Sequence, residues 1–434
     1  MRMDRMALAV LGLGLAQLGR AQEGPVPGGI PRLDHVFVIM EENHGYSQML
    51  GNRNAPFING YMKAANLATN YFAVAHPSLT NHLEIVGGSN FGVLSDNDPD
   101  WHNASCQTNL ATGLASTDRP ASPPICPIAG VGTEAAMPIV DFTNQSAGPP
   151  GTVNFDGVRS MPAATHIVGK TIADQLVQTG RSWKSYEDGM PATGADRINY
   201  ADGLFSNLTD FSTLTPSQQP PLTSSLIVAL YAPKHNPFVY FRNVQEGVDP
   251  RNSLKNSVGF AGLHGLYADL RVGQVPNFAL VVPTQCDDQH GRENAGRLCA
   301  LDPKDDGSQE GLNPALIQRS DIALRNLIDA IKSSPAWRKG RNAIVVVWDE
   351  NDYSNAPNVN QVVLTVDSNY GPHGLRSGAR YTHFSLLRSL ESGFGLPCLN
   401  HACDADERVM ADLFAGVITQ AGRAPSAADT PPPK

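Results

Sequence analysis

Three apolar runs in this chain stop abruptly on groups that can carry charge. "HVFVIME" leads into Glu41, Glu42, Asn43 and His44; "AIVVVWDE" ends on Asp349 and Glu350; "NFALVVPTQCDDQHG" delivers Asp287, Asp288 and His290. Carboxylates gathered beside a buried sheet repel one another, and their pKa values rise unless a cation sits among them. The chemistry this pattern points to is cation binding. One acid after one strand usually caps a helix or sits in a solvated loop. Three such ends in one chain favour the cation. A fourth stretch, "HPSLTNHLEIVGG", places Ser78 after Pro77, with Asn81 and His82 opening an apolar, helix-like run. A hydroxyl at a helix start has the helix dipole and free N–H groups beside it, which suits an anion. The plainer reading makes Ser78 or Thr80 a cap.

These groups need a scaffold that brings strand ends together. The runs Val36–Met40, Leu226–Tyr231, Phe238–Phe241, Phe278–Val282, Ile344–Trp348 and Val362–Val366 are nearly continuous and do not alternate. Strands buried on both faces look like this, as in a parallel sheet covered by helices. Helices are predicted between them. "THIVGKTIADQLVQTG" has Thr165 as N-cap and Gly180 as stop. "NPALIQRSDIALRNLIDAIKSSP" spaces Ile317, Leu324, Leu327, Ile328 and Ile331 on one face and ends by Pro335. "THFSLLRSLESGFG" has Gly393 as C-cap. The expected fold is a three-layer α/β sandwich with a mostly parallel central sheet. In open sheets of this kind the ligand site lies at the carboxyl ends of the strands.

The chain has 434 residues, a formal charge of −9, 41% hydrophobic residues and 17% charged ones. That is globular composition, and the absence of a basic block argues against nucleic acid as a partner. Residues 1–21, with Arg2, Arg5 and "MALAVLGLGLAQLG", read as a secretory signal peptide rather than a membrane anchor. No other segment reaches about 20 uninterrupted apolar residues, so no stable membrane insertion is expected. Residues 22–32 read as a linker, 33–420 as one domain, 95–160 as a loop-rich insertion and 421–434 as a disordered tail. Six cysteines fall as three local couples, favouring Cys106–Cys126, Cys286–Cys299 and Cys398–Cys403 in an oxidising compartment, secreted or periplasmic.

The motifs "VFVIMEENHGYSQMLG", "HPSLTNHLEIVGG", "KHNPFVYF", "PTQCDDQHG", "VVVWDENDYS" and "YTHFSLLRSLESGFGLP" resemble, in order, those of the secreted phosphoesterase family. That family holds acid phosphatases and phospholipases C and is similar to the alkaline-phosphatase-like superfamily. The resemblance spans residues 33–400. It implies an alkaline-phosphatase-like fold and assigns roles by position. Glu42, Asn43, Asp349 and Glu350 match metal ligands, as does Ser78, which also sits at the hydroxyl nucleophile. Asn81 and His82 lie beside the phosphate. Asp288, His290 and His383 form a second cluster of ligands or phosphate contacts, with His290 or His383 also placed to protonate the leaving alcohol. Glu41 competes with Glu42 for its role, and Asp287 with Asp288. The acidic pair Asp349–Glu350, where two-zinc relatives place Asp and His, favours Mg²⁺, Ca²⁺ or Mn²⁺ over Zn²⁺, with one or two ions.

The resulting expectation is a secreted, metal-dependent phosphatase that hydrolyses small-molecule phosphate monoesters through a phosphoseryl intermediate. A phospholipase C-type phosphodiesterase is the rival enzyme. A non-catalytic, secreted metal- or anion-binding protein is the rival of another class.

Overall fold

A computed structural model describes residues 23–91, 93, 96, 107–108, 125–126, 167–190, 230–292, 298–300, 312–351 and 360–415. The signal segment, most of the insertion, Thr165, Cys106 of the expected Cys106–Cys126 couple and the tail lie outside the described residues.

The strands are β1 (His35–Glu41), β2 (Asn66–Ala68), β3 (Tyr71–Phe72), β4 (Gln107–Thr108), β5 (Ile125–Cys126), β6 (Trp183–Glu187), β7 (Ser257–Val258), β8 (Phe278–Val282), β9 (Asn342–Trp348), β10 (Leu364–Ser368), β11 (Arg376–Ser377) and β12 (Tyr381–Thr382). The helices are α1 (Tyr46–Met49), α2 (Pro56–Ala64), α3 (Ser78–Gly87), α4 (Ile172–Gln178), α5 (Arg242–Glu246), α6 (Leu266–Val272), α7 (Pro314–Ser333), α8 (His383–Phe394) and α9 (Ala411–Ala415). Eight strands form the central sheet in the order β11-β2-β10-β9-β1-β8-β6-β7. β1 lies between β8 and β9 and is parallel to both. β10 alone runs against its neighbours.

The apolar runs explain this centre. β1, β8 and β9 are buried almost throughout, which requires cover on both faces. The helices supply it in two groups, α2 with α6 and α7, and α3 with α4 and α8. This is the expected three-layer α/β sandwich with a mostly parallel sheet.

Several local expectations change. The run at Val362–Val366 feeds β10, which is antiparallel; continuous hydrophobicity reports burial on two faces, not strand direction. Phe238–Phe241 falls largely in a 3₁₀ turn, Pro237–Tyr240, because Pro237 fixes φ and removes a ladder donor. β6 went unread because Lys184, Ser185 and Glu187 interrupt its apolar character. α4 begins after Thr171, whose side chain forms a capping box with Asp174. α8 runs through Gly393 and ends at Gly395, which takes the left-handed conformation at φ 64°.

The segment read as a linker docks onto the body. Gly24 N–H donates to the Cys398 carbonyl at 2.9 Å, and Leu33 N–H to that of Gly393 at 2.8 Å. A Cβ at Gly24 would lie 2.6 Å from Cys398 Sγ and 2.7 Å from Cys403 Sγ, so only glycine fits over the Cys398–Cys403 disulfide.

Candidate active site

The carboxyl ends of β1, β8 and β9 and the first turn of α3 converge. β1 ends at Glu41 and Glu42 follows it, and consecutive residues at a strand end point to opposite faces. Glu41 accepts a hydrogen bond from Ser320 of α7 at 2.6 Å. Glu42 faces α3, with Oε1 2.7 Å from His82 Nε2 and Oε2 3.2 Å from Ser78 Oγ. The pleat therefore separates the two competing acids. Asp287 and Asp288 separate likewise. Asp287 pairs with Arg319 at 3.0 Å and accepts from Thr284 Oγ1, whereas Asp288 Oδ2 lies 3.4 Å from His235 Nδ1.

Two groups of side chains bring donor atoms close enough to hold one ion each: Glu42, His82 and Asp349, and Glu42, His235 and His290. Glu42 belongs to both. All five residues are buried. Burial pushes the Glu42 carboxyl up to about 8 against the pull of Lys234, and raises Asp288 and Asp349 well above the usual carboxylate range, with Glu42 adding to both. Burial also lowers His82 to about 4 and His290 to about 3, leaving neutral imidazoles. His290 Nδ1 donates to the Gly291 carbonyl at 2.8 Å, so Nε2 presents a lone pair. That nitrogen, Asp288 Oδ2 and Asn43 Oδ1 are buried without a hydrogen-bond partner among the described residues. Buried lone pairs without donors, beside acids whose charge burial disfavours, fit a divalent cation.

Ser78 is the first residue of α3 and is 1% exposed. Its Oγ also lies 3.1 Å from Glu350 Oε1. Glu350 Oε2 in turn accepts from Asn81 Nδ2 at 3.1 Å and contacts His76 Nδ1 at 2.6 Å. The first-turn amide expected to be free is occupied, since Leu79 N–H donates to Asp96 Oδ1 at 3.1 Å. Asp96 Oδ2 pairs with the buried Lys234 ammonium at 2.7 Å.

Three of the expected residues are held as follows. Asn81 spends its amide on the chain: Oδ1 accepts from Val74 and Ala75, and Nδ2 donates to the Ala75 carbonyl and to Glu350. These bonds brace the serine turn. His383 also has both ring nitrogens engaged. Nε2 meets the Asp349 carbonyl at 2.6 Å, which can only accept, so Nδ1 accepts from Tyr71 Oη at 2.8 Å. Its ring proton, on Nε2, is held by the Asp349 carbonyl. His82, expected beside phosphate, lies within a cation-binding group. Asn43 backbone N–H donates to Asp349 Oδ1 at 3.3 Å.

His76, Asp96, Lys234 and His235 were missed. Each follows no apolar run that ends on an acid. His235 sits in a 3₁₀ turn between Pro233 and Pro237, where no strand-end rule applies. The motif "KHNPFVYF" was the available signal. The two donor groups together include three imidazoles, His82, His235 and His290.

The chain is 23% identical over 410 residues to "Phosphatidylinositol-3-phosphatase" of Mycobacterium tuberculosis, covering 92% of this chain and 91% of that protein. It is 22% identical over 366 residues to "Acid phosphatase" of Aspergillus fumigatus, covering 84% of this chain but only 55% of that one. Among solved structures it is similar to a protein in the alkaline phosphatase superfamily from Vibrio parahaemolyticus, at TM-score 0.41 and 12% identity, covering 86% and 69% of the two chains. The Phosphoesterase family model matches residues 52–397, most of the chain and all the strand ends after β1 that build the site, and the protein belongs to the Phosphoesterase family.

Proposed function

We propose that the chain is an exported, metal-dependent phosphatase that cleaves phosphate monoesters, with Ser78 as nucleophile. The observation that carries the reading is the placement of Ser78 Oγ between two buried carboxyls from different strand ends, 3.2 Å from Glu42 and 3.1 Å from Glu350, beside two cation-binding groups. A hydroxyl has one proton. Glu350, which belongs to neither cation-binding group, is the acceptor for it, while His76 and Asn81 hold that carboxylate in place. Ser78 Oγ then attacks phosphorus and the opposite P–O bond breaks; the departing alkoxide takes a proton from water, and the hydroxide left cleaves the phosphoseryl bond to release phosphate, Ser78 Oγ recovering its proton from Glu350.

Glu42, His82, Asp349, His235 and His290 would hold the metal, which would supply the positive field that phosphoryl oxygens need next to an acidic protein. Three imidazoles move the expectation from Mg²⁺ and Ca²⁺ toward Zn²⁺ and other nitrogen-accepting ions, with Mn²⁺ retained. Two relatives named as phosphatases support the monoester reading over the phospholipase C one. Export is supported by two closed disulfides, Cys286–Cys299 and Cys398–Cys403.

The test is hydrolysis of nitrophenyl phosphate, bis(nitrophenyl) phosphate and phosphatidylinositol 3-phosphate vesicles, each after chelation and after metal return. Monoesters should dominate by kcat/KM, and chelated protein should be inactive. Faster diester cleavage, or full activity in protein shown to be metal-free, overturns the reading.

A further inference from the structure

We propose that the Cys286–Cys299 disulfide is a positioning device for Asp288 and His290, so that the Glu42–His235–His290 half of the site assembles only while that bond is closed. The two halves stand on different supports. His82 lies within α3, and Asp349 follows directly on β9, where its N–H is bound by the Glu41 carbonyl at 3.0 Å. His290 and Asp288 lie in an irregular stretch after β8, where neither a helix nor a ladder fixes the backbone.

That stretch is locally unfavourable. Gln289 is held at φ 78° and Gly291 at φ 84°, both left-handed. A non-glycine residue there costs roughly 1–2 kcal/mol and persists only where its surroundings over-determine it. Hydrogen bonds hold it, among them His290 N–H to Asp288 Oδ1 at 2.8 Å and Asp287 N–H to the Thr284 carbonyl at 2.7 Å. Asp288 N–H and Gly291 N–H fold back onto the Thr284 and Gln285 carbonyls at 2.9 and 2.7 Å. The Asp288 carbonyl accepts from Glu42 N–H at 2.7 Å, and Gln289 bridges Ser320 and Trp348. The far end is pinned by Arg292 N–H to the Cys299 carbonyl at 2.7 Å. The disulfide joins this end to the start of the stretch across a separation of 13 residues. Both cysteines are buried, at 3% and 2% exposure, and Asp288 and His290 lie two and four residues past Cys286. Opening the bond by a dithiol is a two-electron step. The S–S bond breaks, two thiols form with two protons, and the reductant closes to its cyclic disulfide. The anchor of Cys299 then detaches, with Arg292, from the beginning of the loop.

The inference rests on the reading that this cluster holds a cation, and its test separates the two. Full-length protein, its Cys286→Ser/Cys299→Ser variant and a Cys398→Ser/Cys403→Ser control are compared by hydrogen exchange and by Mn²⁺ titration. In the first variant, amides of Asp288, Gly291 and Arg292 should exchange at least about tenfold faster while those of α3 keep their protection. Mn²⁺ affinity should fall by about 10- to 100-fold, as when a group that orients a ligand is lost. In a His290→Ala background the same cysteine changes should cost no further affinity, and the control pair should change neither readout. Wild-type protein opened with dithiothreitol, with the reductant then removed under nitrogen, should match the first variant in exchange. Unchanged protection at Asp288–Arg292 overturns the proposal, as does equal loss of protection in α3, which marks a general staple. If wild-type protein fails to take up Mn²⁺, the cation reading falls and the exchange pattern alone decides the positioning role.

Discussion

Glu42 is the residue on which both donor groups meet, and Glu41 beside it is the natural control. Glu42→Gln removes one ligand charge from each group, so activity should drop by about 10²-fold or more with loss of retained metal. Glu41 is buried, its carboxyl is raised well above the usual range chiefly by burial, and it accepts from Ser320. An amide replaces a protonated carboxyl almost isosterically, so Glu41→Gln should change turnover less than about threefold. Ser78→Ala should lose about 10³-fold or more in kcat, as removal of a nucleophile does. Thr80, whose Oγ donates to the Val93 carbonyl at 3.3 Å, should tolerate alanine with a far smaller loss. Acid quenching followed by peptide mapping should find phosphate on Ser78, and its appearance on Thr80 would reverse the assignment.

The elements carry their own test, away from the chemistry. α2 begins with Pro56 and lacks a side-chain cap of its own. Asp321 of α7 supplies one from across the interface, accepting from Phe57 N–H at 3.1 Å and Ile58 N–H at 2.7 Å. Asp321→Ala should therefore cost about 1–2 kcal/mol in denaturant unfolding, since two first-turn donors lose their partner, while kcat stays within experimental error. A large drop in kcat at unchanged stability would tie Asp321 to the site in a way its two hydrogen bonds do not suggest.

For the whole molecule, the buried acids couple stability to pH. Glu42 has a native pKa of about 8 against an ordinary 4.5, and Asp288 and Asp349 shift the same way. Each of these carboxyls binds its proton longer in the native state, so its contribution to the unfolding free energy falls as pH rises through that interval. His82 and His290, lowered to about 4 and about 3, act oppositely up to about pH 6.5, because there the unfolded chain binds their protons and the native state does not. Chelated protein should therefore show its decline in Tm between about pH 6.5 and about pH 8. A cation binds the deprotonated groups and not the unfolded chain, so the increment in Tm on adding Mn²⁺ should grow over the same range. Differential scanning calorimetry at fixed ionic strength measures both slopes. A flat chelated profile would mean that the acids are already neutralised by something other than protons.

The sequence by itself determined what depends on composition along a short stretch. β1, β8 and β9 were legible because strands covered on both faces must be apolar throughout, and α7 because Ile317, Leu324, Leu327, Ile328 and Ile331 share one face. The acids at the strand ends were legible because apolar runs that stop on charge are conspicuous. Only the tertiary structure decided which acid of each pair faces inward, because that follows from the pleat and from what packs on each face: Ser320 against Glu41, α3 against Glu42. It also decided that His235 reaches Glu42 and Asp288, and that Lys234 meets Asp96, 138 positions apart in the chain. It showed Asn81 and His383 saturated by hydrogen bonds to backbone and to Glu350 and Tyr71. A side chain's residue type gives its capacity for chemistry. Whether a lone pair or a proton is left over depends on which distant groups the fold brings against it.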